Sequence, residues 1–231
     1  MAGKKINELV QANAVSDNDL FIVETANGTC SVPYSKIKSN GGNVSFNGTG
    51  SNSTAVGDNA NASDFGSIAV GCSANANGST SIAVGYSARA NIDYSIAVGY
   101  SANASDFGSI AVGYSANASG DFGSSFGFNA NASGSTSIAV GFNANASGSG
   151  STAVGDNANA SGSNSTAVGD NARANGSSSI AVGYSARANI DCSTAVGYGA
   201  NASGSGSTAV GENTRASGDY STAVGCSAST T

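Results

Sequence analysis

Asp64-Phe65-Gly66, Asp106-Phe107-Gly108 and Asp121-Phe122-Gly123 are three copies of a tripeptide that holds magnesium in phosphoryl-transfer enzymes. That chemistry also needs a glycine-rich phosphate loop, a catalytic loop and a strand-borne lysine, and none accompanies these copies. The chain has no histidine, and its carboxylates are scattered over turn-like segments. Asp156 and Asp170 occupy equivalent places fourteen residues apart and could share a cation. The nonapeptide G-G-x-G-x-D of calcium-binding rolls is absent, however. Cys30, Cys72, Cys192 and Cys226 lack C-x-x-C spacing and histidine partners, so free thiols are expected. The sequence therefore predicts no catalytic residue, no metal site, no cofactor and no enzyme. The Asp-Phe-Gly copies read as turns, with Asp93-Tyr94 and Asp219-Tyr220 in the same place.

Binding is better served than catalysis. Tyr86, Tyr100, Tyr114, Phe128 and Phe142 follow one another at fourteen-residue steps, and Tyr184 and Tyr198 repeat the arrangement further on. Residues at one repeat position in stacked coils should form ladders. Stacked aromatics stabilise such an edge. An exposed row of them is equally a platform for sugars or protein surfaces, and both roles stay open.

These ladders require elements that repeat in strict register. Thirteen glycines from Gly57 to Gly225 stand fourteen residues apart, each inside nearly the same phrase, S-[TI]-A-V-G-x-[NS]-A-[NR]-A-[SN]. A unit this short cannot bury its own apolar face and must stack on its neighbours. S-[TI]-A-V-G reads as one strand, and the alternating N-A-N-A-S or S-A-R-A-N as a second with one dry face. Two strands of about five residues and two short turns make one coil of a parallel β-solenoid. Thirteen coils at about 4.8 Å per layer give a body about 60 Å long.

The first strand has no polar row: Thr or Ile and Val line one face, Ser, Ala and Gly the other. A strand of this kind is buried on both faces. A single roll covers only one of them, so a homotrimer about an axis parallel to the rod is expected. Which face lines the axis is open, with Val and Ile inside the roll as the working expectation. In the sixth repeat Phe126 stands where others have Val, so local repacking is expected there.

The net charge of −6, with only Arg89, Arg173, Arg187 and Arg215 in the repeats against ten acids, argues against a nucleic-acid partner. No apolar run approaches the length of a membrane-spanning helix, and the first fifteen residues lack the apolar core of a secretory signal. Residues 1–40 differ in kind from the rest. They read as a small β-hairpin, Asp19–Thr25 returning as Thr29–Val32, followed by a short helix after Pro33. Residues 41–52 form a connection, and residues 53–231 form the repeat roll.

The repeat phrase from Ser53 to Thr231 resembles the head repeats of trimeric autotransporter adhesins of the YadA-like kind. The resemblance implies an all-β, left-handed parallel β-roll of 14-residue coils, homotrimeric and adhesive. The leading segment, Ile6-Asn-Glu-Leu9 with Val15 to Glu24, Gly28-Thr29 and Val32 to Ile37, is similar to the virion-docking end of bacteriophage fibre and appendage proteins. Together they imply a structural and adhesive phage fibre, made in the host cytoplasm and carried on the virion. Its N-terminus would dock on a capsid or tail protein through Leu20, Phe21, Ile22, Val23, Tyr34 and Ile37, and its rod would touch a host surface glycan or protein without membrane insertion. The alternative is the head of a bacterial trimeric surface adhesin. An ice-binding solenoid would need a regular outward threonine row, whereas here Thr54 is followed by Ile68, Ile82, Ile96, Ile110, Ser124, Ile138 and Thr152.

Overall fold

The computed structural model describes residues 48–231 and the backbone of two strands, Leu20–Thr25 and Gly28–Pro33. Those two strands pair antiparallel, with Phe21 opposite Val32 and Val23 opposite Cys30. They lie in one compact unit, Met1–Val44, and the repeats lie in another, Ser45–Thr231. The helix expected after Pro33, and with it Tyr34 and Ile37, falls outside the described residues. Among the described residues there is no helix.

The repeats form two 13-stranded parallel sheets, one strand of each sheet per coil. One sheet runs from Thr54–Val56 to Thr222–Val224, the other from Asn61–Ala62 to Ser229–Thr230. Register is uniform: Ala97 pairs with Ala111, Val98 with Val112, and Asn103 with Asn117. The strands are three and two residues long, shorter than the five expected. Corners claim the difference. Each coil turns at the repeat glycine and the residue two beyond it, and turns again just before the next serine, with a left-handed residue at both corners of most coils.

The glycine column shows why the period tolerates no other residue there. Gly113 has φ +137°, and a Cβ built on it would lie 2.3 Å from the carbonyl oxygen of Gly127 in the next coil. Both the conformation and the space demand glycine. Close backbone approach at this corner lets coils stack at strand spacing.

The core is made of the smallest side chains, and this overturns the expectation that Val and Ile fill the roll. Ala97, Ala102 and Ala104, with Ser95 and Ser109, are fully buried, and their equivalents repeat along the rod. In some coils the serine hydroxyl donates to the turn carbonyl three residues earlier, at 2.6 Å from Ser95 to Ile92 and 2.7 Å from Ser109 to Asp106, while the equivalent hydroxyls of Ser137, Ser151, Ser165 and Ser179 are buried without a partner. Two sheets joined by corners this tight leave an interior only a methyl or hydroxyl deep on each side. Valine and Thr or Ile therefore point outward on the first-strand sheet, half-buried or exposed, with Ile138 42% exposed.

The same geometry corrects the expectation for the sixth repeat. Phe126 lies on the outward row and is exposed, so its bulk meets no core, and Val112, Phe126 and Val140 keep the common register. The coil stack also begins earlier than Ser53. Thr49 and Gly50 donate to the Ala62 carbonyl, and Gly66 donates to Ser51, so the end of the connection is laid on the first coil.

Candidate functional site

Each residue that follows the repeat glycine sits on the outer corner between the two strands. The glycine turns the chain away from the first strand, and the residue after next takes a left-handed conformation, with φ near 52° at Ser101 and 51° at Ser115. Asn and Ser tolerate that region better than bulkier residues, which accounts for the N/S alternation at this place. The residue between is thrown outward, and its carbonyl accepts from the next coil. Ser101 donates to Tyr86 and Ser115 to Tyr100, both at 2.8 Å, and Asn129 to Tyr114 at 2.9 Å. The backbone thus fixes one layer between successive side chains.

Aromatic rings at that spacing stack. Centroids lie 5.1 Å apart for Tyr86 and Tyr100, 4.9 Å for Tyr100 and Tyr114, 4.8 Å for Tyr114 and Phe128, and 5.2 Å for Phe128 and Phe142. The planes are within 15° of parallel throughout. The structure brings all five expected residues into one ladder about 20 Å long at strand spacing. Tyr184 and Tyr198 form the second, with centroids 5.1 Å apart. Each ring remains about half exposed, from 43% at Phe128 to 56% at Tyr198.

The stacking decides which part of the rings a partner meets. Ring faces are consumed within the ladder except at its ends, Tyr86 and Phe142. What is presented along the row is ring edges and the three tyrosine hydroxyls. Edges carry the positive side of the aromatic quadrupole. They suit carbonyl oxygens and apolar ridges on another polypeptide better than the face-on packing a sugar ring requires.

Acids bracket this row. Asp58 precedes it, Asp156 and Asp170 follow the first ladder, and Glu212 follows the second. The carboxylates of Asp156 and Asp170 each accept from the side chain of the adjacent asparagine, Asn157 and Asn171. Among the described residues no group of three His, Cys, Asp or Glu is placed to hold a metal ion. The Asp-Phe-Gly carboxylates do turn work: Asp64 accepts from the Phe65 amide at 2.7 Å and Asp106 from Phe107 at 2.8 Å. Asp93 reaches across one coil to the Ser79 amide at 2.8 Å. Cys72, Cys192 and Cys226 are free thiols.

Two features escaped the sequence reading. Tyr94, Phe107 and Phe122 form a second aromatic cluster on the other corner, packed edge to face with centroids 5.5 and 5.3 Å apart. The sequence places these aromatics in one turn, but their spacings of thirteen and fifteen residues straddle the period, and their packing on one another was not read from it. The second is an amide ladder on the outer face of the short-strand sheet. Asn103, Asn117, Asn131, Asn145 and Asn159 donate each to the next at 2.7–2.8 Å.

The family model described as the YadA head domain repeat (2 copies) matches residues 49–74, 76–102, 104–130, 123–144, 132–158, 146–172, 160–186, 174–200, 193–214 and 202–225. These stretches take in most of the chain and nearly all of the coil stack. The chain belongs to the YadA head-repeat family. Among solved structures, the collagen-binding domain of the Yersinia adhesin YadA is similar at 22% identity. The match covers 66% of this chain and 69% of that one, with a TM-score of 0.34. No curated protein sequence gives a significant match. The aromatic ladders occupy the position directly after the repeat glycine, which varies from coil to coil in this chain. Within this chain the glycine corner is invariant, and each core position holds the same Ala or Ser in nearly every coil, Gly123, Ser125 and Thr214 being among the exceptions.

Proposed function

We propose that this chain is the adhesive head of a trimeric bacterial surface adhesin, a left-handed roll that meets a host protein surface. Membership of the YadA head-repeat family supports the adhesive reading, and it favours the bacterial cell surface over a virion. The single observation that carries the trimer is the outward apolar row of the first-strand sheet. Thr or Ile and Val, replaced by Ser124 and Phe126 in the sixth coil, stand half-buried or exposed along the rod's full length, and a face that long needs a partner. Second and third copies of the chain supply the same face in the same register.

The contact surface for the host is the ladder Tyr86, Tyr100, Tyr114, Phe128 and Phe142, which lies on a corner and not on the apolar face. Its edge-on presentation favours an extended polypeptide, and collagen is the natural first probe, given what the Yersinia domain is named for binding. The role is structural and adhesive, not enzymatic. Binding of the purified trimer to immobilised collagen, compared with its Tyr86, Tyr100 and Tyr114 to Ser variant, tests the surface. Equal binding by both proteins refutes the ladder's role.

Virion attachment through Leu20, Phe21, Ile22 and Val23 rests on the N-terminal segment alone. The family match begins at residue 49 and lends that reading nothing. Immunogold labelling separates the two locations: particles on the bacterial envelope favour the adhesin, particles on virions the fibre.

A further inference from the structure

Every arginine of the coils occupies one row. Arg89, Arg173, Arg187 and Arg215 each open the short second strand of their coil, and all four are exposed. Three of them are gathered towards one end. Arg173 pairs in register with Arg187, and Arg215 follows after one intervening asparagine, Asn201. The steps are therefore about 4.8 Å and about 9.6 Å along the rod. The row residues bracketing the group, Asn159 and Ser229, carry no charge.

This placement is unfavourable within the chain itself. Like charges directly opposite on paired strands repel. Arginine also interrupts the amide ladder: Asn159, the last acceptor of the run, donates not along the row but to Asn175 at 3.3 Å. An asparagine at 173 would extend the ladder and avoid the repulsion. What the arginines provide is a line of guanidinium forks, each able to hold a carboxylate or sulfate by two parallel hydrogen bonds.

We infer that Arg173, Arg187 and Arg215 form a binding strip for an extended anionic polysaccharide, separate from the aromatic ladder. The steps match the rise of one and of two pyranose rings along an extended chain, so sulfate or carboxylate groups on neighbouring sugars meet successive forks. The neighbouring asparagine and serine side chains of the same face offer hydrogen bonds to sugar hydroxyls. A nucleic acid fits less well, because its affinity rests on neutralising many phosphates and the strip offers only three guanidinium groups.

The experiment is titration of the full chain with a size-defined sulfated heparin oligosaccharide at low salt. It is repeated with a single-stranded oligonucleotide of equal charge. The variant with Arg173, Arg187 and Arg215 all changed to Asn is expected to bind the oligosaccharide at least tenfold more weakly. Arg89→Asn, the same chemical change at an isolated position, is expected to alter affinity less than twofold. Asn is the commonest residue of this row, so the fold should persist, and circular dichroism checks it. Should the triple variant not fold, Asn201→Arg, which makes the strip continuous, is expected to raise affinity at least threefold. The proposal is overturned by absent binding of the unaltered chain, by an unchanged triple variant, or by equal loss in Arg89→Asn. It is also overturned by an unchanged Asn201→Arg affinity, or by equal affinity for the oligonucleotide. The tyrosine variants that test collagen binding leave this strip intact and should bind the oligosaccharide normally.

Discussion

Tyr100 lies flat on Tyr114, ring centroids 4.9 Å apart and planes 4° from parallel, while the Ser115 amide donates to the Tyr100 carbonyl at 2.8 Å. The hydrogen bond and the stack share one spacing. The backbone sets it, and the rings exploit it.

Replacing Tyr100 by Ser removes two stacking contacts, so a loss of about 1–2 kcal/mol is expected. The backbone bond through the Tyr100 carbonyl survives, and the coil should keep its register. Chemical denaturation gives the stability change, and collagen binding measured in parallel should fall further than stability accounts for.

Gly113→Ala places a methyl 2.3 Å from the Gly127 carbonyl oxygen at φ +137°. A loss above about 3 kcal/mol is expected, because both backbone strain and a clash with main chain apply. Gly225→Ala is the comparison. It shares the unfavourable φ of +122°, but its Cβ would meet nothing nearer than the Ala228 Cβ at 4.0 Å. Its cost should be clearly smaller by the same denaturation measurement. Equal costs would show that conformation alone, not coil-to-coil approach, fixes the glycine column.

Val112→Asp tests the outward apolar row. In an isolated coil the side chain is only half-buried and the change is mild. In the proposed trimer it puts three carboxylates on a buried face, and burying unpaired charge is strongly unfavourable. Light scattering should show loss of the trimer, whereas Asp at the exposed Ser119 should leave it intact.

Asn117→Ala breaks the amide ladder in its middle, removing the bond from Asn103 and the bond to Asn131, both 2.8 Å. Each contributes about 0.5–1.5 kcal/mol at most, less where water competes. A fall of about 1 kcal/mol is expected in denaturation. The collagen and polysaccharide readouts should not move.

The repeat, the parallel stacking and the ladder from Tyr86 to Phe142 were all legible in the sequence, because a fixed period places equivalent residues over one another whatever the details of the coil. What fills the roll was not. Val and Ile carry the hydrophobicity and alternate with Ala and Ser, so the pattern separates two faces without saying which is inside. The answer lies in corner geometry: turns at Gly99 and Ser101 draw the two strands so close that only Ala97, Ala102, Ala104 and Ser95 fit between them. Tyr94, Phe107 and Phe122 were legible as residues of one turn, but their packing into a cluster was not, for a related reason. Corner residues shift by one along the chain while remaining neighbours in space, which strict periodicity does not register.

The glycine corners carry a consequence for the gene. Each coil touches only the coils on either side, and each glycine corner lies against the glycine carbonyl of the next coil while its own carbonyl lies against the corner before. Copying errors that add or drop one whole repeat in frame leave every junction as it was. In-frame errors that are not a whole number of repeats break the register in which Gly113 meets Gly127. The length of the head is thus free to drift in whole steps between lineages, carrying the Tyr and Arg rows nearer to or farther from the tip, while the thickness of the rod stays fixed.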